Sequence, residues 1–473
     1  MLVSNNLKTI IKNFSYITIA SIVVRLINFI VETYLARILG PSSYGIVTFA
    51  LLSVSFFILF LNKGIEIVGT RNIARSPSST NKEMNIFLVQ RFCFTSITLV
   101  FFYLIIWLIP NSFNQDIKII TSLFGLQIIL AGFSLEWLFQ GLHKMQISSM
   151  SQVVGQIFYL FIIMICVKSS KDINIIPLAF NTSLLISVLL MWYFAVRYQY
   201  LNKISLSPQL LKINIWESST IGLSVIMSTV YYSLDHILLY FWKDSETLGL
   251  YRSAYRLNVL VALVPLLIFQ SMFPNLSRIE PSKKKTSYLL NYYLLFMIST
   301  GILFGAVTSI FSNELIKIIY GDKYVGAGEV LKILGVNMVI ATFSYTFGQL
   351  LLCWNKQQKH LIIVSIGALV NLILNALLIP KYGMYGAAYA TVAAETLVFF
   401  LFYIQVVKLA YFNKSRILIS NLVGFGFALI YLKFKPLDKG ATNMILFFLL
   451  FVMGNFMVNA YYNSKEKINV NQL

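Results

Sequence analysis

The stretch Val23–Gly40, VVRLINFIVETYLARILG, sets Arg25 and Glu32 inside a run that otherwise reads as lipid-soluble. Ionisable groups within such a helix are costly unless they face protein or water. The rest of the chain decides which solvent surrounds the run. Mean hydropathy is +0.77, and 58% of residues are hydrophobic against 11% charged. That leaves too few polar residues to coat a soluble core, so the chain is a polytopic membrane protein.

Apolar stretches of roughly 20 residues between polar or Pro/Gly breaks number about fourteen. They run over 10–35, 44–66, 84–109, 118–141, 148–167, 174–197, 213–241, 248–273, 287–311, 327–353, 360–379, 383–408, 416–433 and 440–461. The expected fold is all-α. The first span follows Lys8 and Lys12 and lacks a short apolar core with a small-residue cleavage site, so it reads as a retained helix. Cys93, Cys166 and Cys353 lie singly, without CxxC spacing, and read as packing residues; no metal and no cofactor is expected.

Loop charge sets the orientation. With both termini cytoplasmic, about twenty Lys/Arg fall on that side against roughly eleven outside. The inner set includes Arg71, Arg75, Arg278, Lys283, Lys284, Lys285, Lys356, Lys359, Lys414 and Arg416, while Asp116, Asp172, Asp244 and Glu314 dilute the outer one. The net charge of +20 is then mostly a topology signal suited to anionic lipid rather than to nucleic acid. No expected loop exceeds about twenty residues, too short for a soluble catalytic domain of about a hundred. No G-x-x-x-x-G-K-[ST] phosphate loop occurs.

Two halves repeat. Placing Glu32 on Asp235 aligns the ends of spans 1 and 7; beyond them SSYGIVTFA faces TLGLYRSAY, and LFQGLHKMQ at the end of span 4 resembles LLCWNKQQK at the end of span 10. The expected division is a six-helix bundle over 1–200, a second over 201–410, and two appended helices with a short cytoplasmic tail over 411–473. Paired bundles of this kind commonly enclose a central site and rock about it.

At 100° per residue, Thr18, Ser21, Arg25, Asn28 and Glu32 fall on one stripe of the first span. The seventh gathers Glu217, Thr220, Ser224, Ser228, Tyr231 and Asp235 in the same way. Polar stripes in a bilayer turn toward a bundle interior or a water-filled cavity. In the eighth span YRSAYRLN places Arg252 and Arg256 four apart, where two guanidiniums call for an anion beside them. Asp235 is one candidate; a substrate phosphate, matched to the paired donors of guanidinium, is the other. Arg25 is the strongest single phosphate candidate, and a bond to Glu32 is its structural alternative.

Other intramembrane charges read as local pairs: Lys63 with Glu66, and Arg91 with Glu136. Glu395 has no cation in its own helix and is either a packed carboxyl or a proton carrier. His236 beside Asp235 reads as a hydrogen-bonded bystander.

NLILNALLIPKYGMYGAAYATVAAE brings Asn371 and Asn375 to one helix face, ends that helix at Pro380, and offers Gly383, Gly386, Ala387, Ala388 and Ala390 for close packing. Taken with LARILGPSSYG and GTRNIARS, this order resembles the polysaccharide-transporter, or O-antigen flippase, branch of the multidrug/oligosaccharidyl-lipid/polysaccharide exporter superfamily, over essentially the whole chain. The resemblance implies two six-helix bundles forming a V-shaped central cavity, plus two extra C-terminal helices. It implies a flippase, not an enzyme, that carries an undecaprenyl-diphosphate-linked oligosaccharide across the bacterial inner membrane by alternating access. In related lipid II flippases arginines of helices 1 and 8 line a cationic cavity, which by position implies Arg25, Arg252 and Arg256 for the diphosphate. Ser21, Asn28, Glu32, Ser224, Ser228, Tyr231 and Asp235 would line the cavity for sugars, with Glu395 available for ion coupling. The implied partners are membrane lipid, the polyprenyl-diphosphate glycan and the glycan polymerase and ligase machinery. A drug/cation antiporter of the same superfamily would want an acidic chamber, and a membrane polymerase or ligase a large outer loop.

Overall fold

The computed structural model describes residues 2–62, 64–76, 80–108, 115–200, 233–282, 288–434 and 441–471, with side chains of 2–19, 430–434, 441–442, 463–471 and a few isolated positions not described. Among the described residues every regular element is helical, and ten helical segments are long and apolar enough to cross a membrane. The chain is an all-α polytopic membrane protein.

Two helical runs exceed any single crossing. Leu2–Asn62 has 61 residues and Gln357–Leu409 has 53, or about 90 and 80 Å at 1.5 Å per residue, against a hydrocarbon core of about 30 Å. Each is broken once by a glycine at positive φ: Gly40 (φ 73°, ψ 172°) and Gly383 (φ 56°, ψ −132°). L-residues adopt that backbone only with strain, so glycine fixes the reversal. Pro41 then starts the next helix where its missing N–H costs nothing. Near Gly383, Lys243 donates its ammonium to the Pro380 carbonyl at 2.8 Å, satisfying an oxygen at the helix break.

Three span boundaries differ from the sequence expectation. The second span ends at Asn62, not at 66, because Gly64 is left-handed (φ 72°); a separate helix, Ile65–Arg75, follows and carries most of the GTRNIARS stretch. The fourth span is three short helices, Gln115–Phe124, Leu126–Gly132 and Glu136–Gly141. An additional short helix, Ser312–Tyr320, buries Ile316 and Tyr320.

The described chain divides into two compact units, Met1–Tyr240 with Asp244–Gly249, and Phe241–Lys243 with Leu250–Leu473. The segment 201–232, where the second expected bundle begins, lies outside the described residues. The first unit has a core of Val68, Phe87, Trp137, Leu138 and Met191, with the Phe87 ring edge-on to Trp137 at 5.2 Å. In the second, Phe269, Tyr293, Phe347 and Phe402 share a core, and a separate cluster gathers Leu303 and Phe311 with Ala428 of Lys414–Phe434 and Phe447 and Phe451 of Ala441–Asn471.

The internal repeat has a backbone signature. His143 and Asn355, equivalent in LFQGLHKMQ and LLCWNKQQK, are both left-handed with φ 56°. In each turn the following lysine N–H closes on the carbonyl five residues back: Lys144 on Phe139 and Lys356 on Leu351, both at 2.8 Å. Two helices of different units end in the same hydrogen-bonded turn, with a residue other than glycine at the left-handed position of each.

Candidate functional site

Arg25 lies on the exposed face of the first crossing, beside exposed Ser21, Leu26 and Ile30. Among the described residues its guanidinium has neither a hydrogen bond nor an ion pair. The structural alternative, a direct bond to Glu32, is therefore not made. Glu32 and Asn28 are half-buried, and Glu32 is approached at 3.5 Å by the hydroxyl of Tyr44, itself 3% exposed.

Of the matching stripe in the seventh span, Ser224, Ser228 and Tyr231 lie outside the described residues, as do Glu217 and Thr220. Asp235 is buried in the first unit beside buried His236; its Oδ1 accepts the His236 backbone N–H at 2.9 Å and lies 2.7 Å from ring Nδ1. Arg252 and Arg256 are half-buried on Ser245–Val261, in the second unit. Glu395 is buried in the same unit, where its main-chain carbonyl accepts from the Ser344 hydroxyl at 3.2 Å. Asn371 and Asn375 are buried and joined at 2.9 Å, as one helix face demands of an i,i+4 pair.

One local pair requires correction. Arg91 does not pair with Glu136: its Nη1 meets Glu66 at 3.1 Å, Nε donates to the Gly132 carbonyl at 2.9 Å, and Nη2 donates to the Ala131 carbonyl. These two carbonyls end the Leu126–Gly132 helix, so a buried guanidinium stabilises the break in the fourth span. Glu136 accepts from Gln140 at 3.1 Å. Lys63, the partner expected for Glu66, lies outside the described residues.

One buried cation escaped sequence reasoning. Arg416, 2% exposed, donates Nε to Asn459 and Nη2 to the Tyr292 hydroxyl, each at 3.2 Å, and its guanidinium lies 5.0 Å from the Tyr292 ring centre. Asn459 in turn donates to the Asn455 carbonyl, and Asn455 accepts from Ser299 at 3.2 Å. The i,i+4 spacing of Asn455 and Asn459 was the available signal. The network ties both appended helices to Tyr288–Ile310.

Comparison with known proteins places this arrangement. The profile of the family described as polysaccharide biosynthesis protein matches residues 10–280. A protein of Escherichia coli (strain K12) described as an O-antigen transporter is 26% identical over 77% of this chain and 89% of its own length. The Staphylococcus aureus capsular polysaccharide biosynthesis protein CapF is 23% identical over 80% of this chain and 94% of its own. Among solved structures, the lipid II flippase MurJ in an inward closed conformation superposes with a TM-score of 0.72 at 16% identity, covering 95% of this chain and 99% of that one. An inward-facing multidrug resistance MATE family transporter of the MOP superfamily gives 0.63 at 14% identity, covering 81% and 93%. At these identities the two structures establish the fold alone.

Proposed function

Because the chain belongs to the polysaccharide biosynthesis protein family, we propose that it is a flippase for a polyprenyl-diphosphate-linked oligosaccharide. It moves the repeat unit of an O-antigen, capsule or exopolysaccharide across the bacterial cytoplasmic membrane, with both termini on the cytoplasmic side. The names of the O-antigen transporter and CapF relatives support this reading.

The observation that carries it is Arg25. A guanidinium in the apolar part of a bilayer costs roughly 2.5 kcal/mol or more unless paired or wet. Arg25 is exposed and, among the described residues, unpaired. Its face therefore belongs to water rather than to acyl chains, and its planar donors suit a diphosphate. In this reading Arg252 and Arg256 supply further guanidiniums. Ser21, Asn28, Glu32, Ser224, Ser228, Tyr231 and Asp235 offer hydroxyl, amide and carboxylate partners to the sugars. The prenyl tail stays in lipid while the two halves rock about the head group. Glu395 is the candidate for ion coupling. No covalent bond changes, and the glycan polymerase and ligase take the product.

Reconstituted vesicles test the reading. The protein should carry a fluorescent undecaprenyl-diphosphate glycan from the outer to the inner leaflet or the reverse, and cells lacking it should accumulate the unflipped lipid on the inner leaflet. Tight binding of cationic drugs with no movement of the glycan lipid would favour the antiporter instead.

A further inference from the structure

The stretch GTRNIARS fills most of the helix Ile65–Arg75 and has no part in the transport reading given above. One side of this helix is locked. A Cβ built on Gly69 would meet the Trp137 ring at 2.8 Å, and one built on Gly141 would meet the Thr70 carbonyl oxygen and Ile73 Cβ, each at 2.9 Å. The Thr70 hydroxyl donates to the Trp137 carbonyl at 3.1 Å, and Val68 and Ile73 are buried. The opposite side carries Ile67, Arg71 and Arg75 at four-residue steps, which sets them on one ridge. Ile67 is 50% exposed, Arg71 is half-buried and Arg75 is exposed.

The two arginines are held differently. Arg71 Nη2 donates to Asn72 Oδ1 at 3.2 Å, and Asn72 Nδ2 donates in turn to Glu83 at 3.1 Å. Arg75 has neither a hydrogen bond nor an ion pair among the described residues. Guanidiniums four residues apart repel each other, so the ridge favours an anion beside it. With both termini inside, the second crossing ends at Asn62 on the cytoplasmic side and this helix follows it. In chain order the ridge therefore runs from apolar Ile67, next to the end of the crossing, to two cations beyond. A prenyl diphosphate in the inner leaflet has the same order, hydrocarbon first and two phosphates next. A glycerophospholipid with one phosphate needs only one of the arginines.

We infer that Ile67, Arg71 and Arg75 form a cytoplasmic loading site, where the diphosphate of the glycan lipid is taken from the inner leaflet before it reaches Arg25. The inference rests on the flippase reading and on the inside placement of both termini. The internal repeat keeps half of the arrangement. Arg278 lies 203 positions after Arg75, as Asp235 does after Glu32, and is exposed just past Leu263–Leu276; Pro274 stands where Arg71 would be. Among the described residues the paired cations thus belong to the first unit alone.

The test uses the full chain in nanodiscs, with a photo-crosslinking residue in place of exposed Ala74 and radiolabelled undecaprenyl diphosphate as the probe. Unlabelled undecaprenyl diphosphate should compete for the cross-link, and an excess of phosphatidylglycerol should not. Arg75→Gln should cut the yield about tenfold, the loss of one charge-assisted contact. Arg75→Lys should recover only part, because ammonium lacks the paired-donor fork. Equal competition by phosphatidylglycerol would make the ridge an ordinary anionic-lipid surface and overturn the proposal, as would an unchanged yield in Arg75→Gln. Full yield with lysine would reduce Arg75 to a charge complementing the helix dipole and overturn it too. Arg75 is exposed, so its variants should insert normally; if Arg71→Gln does not insert, the Arg75 variants decide.

A second arm reads transport. In vesicles Arg75→Gln should raise the half-saturating concentration of the undecaprenyl-diphosphate glycan more than it lowers the maximal rate. A fall in maximal rate alone would place Arg75 after loading and overturn the inference. If the parental chain moves no glycan lipid, the flippase reading fails, and the cross-link still reports whether the ridge binds the diphosphate.

Discussion

Arg91 and Glu66 meet at 3.1 Å, joining Thr80–Leu108 to Ile65–Arg75, with Arg91 1% and Glu66 39% exposed. The pair is lopsided: water reaches the carboxylate, while the guanidinium also holds the carbonyls of Ala131 and Gly132. Arg91→Ala therefore strands the buried Gly132 carbonyl at about 1–3 kcal/mol, while the Ala131 carbonyl keeps the Ser134 N–H at 3.2 Å. Glu66→Gln keeps an acceptor and should cost about 1 kcal/mol or less. Thermal unfolding of detergent-purified variants should rank Arg91→Ala far below Glu66→Gln; equal losses would refute this division of labour.

Arg25→Ala should abolish surface glycan while membrane-inserted protein stays near its normal level. Arg25→Lys should rescue only partly, since ammonium keeps the charge and loses the paired-donor fork. The double change Arg25→Ala with Glu32→Gln should remain inactive, because Glu32 is not the partner of Arg25. Normal export by that double variant would remove Arg25 from the phosphate site.

His143 and Asn355 carry left-handed backbone without being glycine. Glycine at either position should be neutral or stabilising, and His143→Val should cost about 1–2 kcal/mol, because a branched side chain crowds the following carbonyl there. Melting temperatures of the three variants measure it. A valine variant as stable as the parent would show that the turn refolds into another shape.

A reporter active only outside the cytoplasm, fused after Leu473, should stay silent. A cysteine at exposed Asp244 should react with an impermeant reagent in intact cells. A strong reporter signal would reverse the orientation assigned from the loop charges.

The sequence made the helical class legible because apolar length alone sets it, and LARILGPSSYG marked the break that Gly40 makes. The matched turns at His143 and Asn355 were legible as a repeat, although their left-handed backbone was not, because neither is glycine. The true partner of Arg91 was hidden. Sequence gives a residue's rough depth in the bilayer but not the azimuth of its helix, nor the break at Gly64 that carries Glu66 onto Ile65–Arg75. Ile65–Arg75 escaped because an 11-residue polar helix falls below any membrane-spanning window. Arg25 was legible as an intramembrane charge with two candidate partners, a phosphate or Glu32, and the structure makes no direct bond to Glu32. What it binds was not, since phosphate recognition needs a constellation rather than a motif.

The Gly40–Pro41 reversal has no loop at all: one crossing ends and the next begins at adjacent residues. During synthesis the translocation machinery is therefore offered no polar connecting segment to handle on its own. The first two crossings should therefore enter the bilayer together as a hairpin, and tag insertions between Gly40 and Pro41 should be rejected at biogenesis rather than at transport.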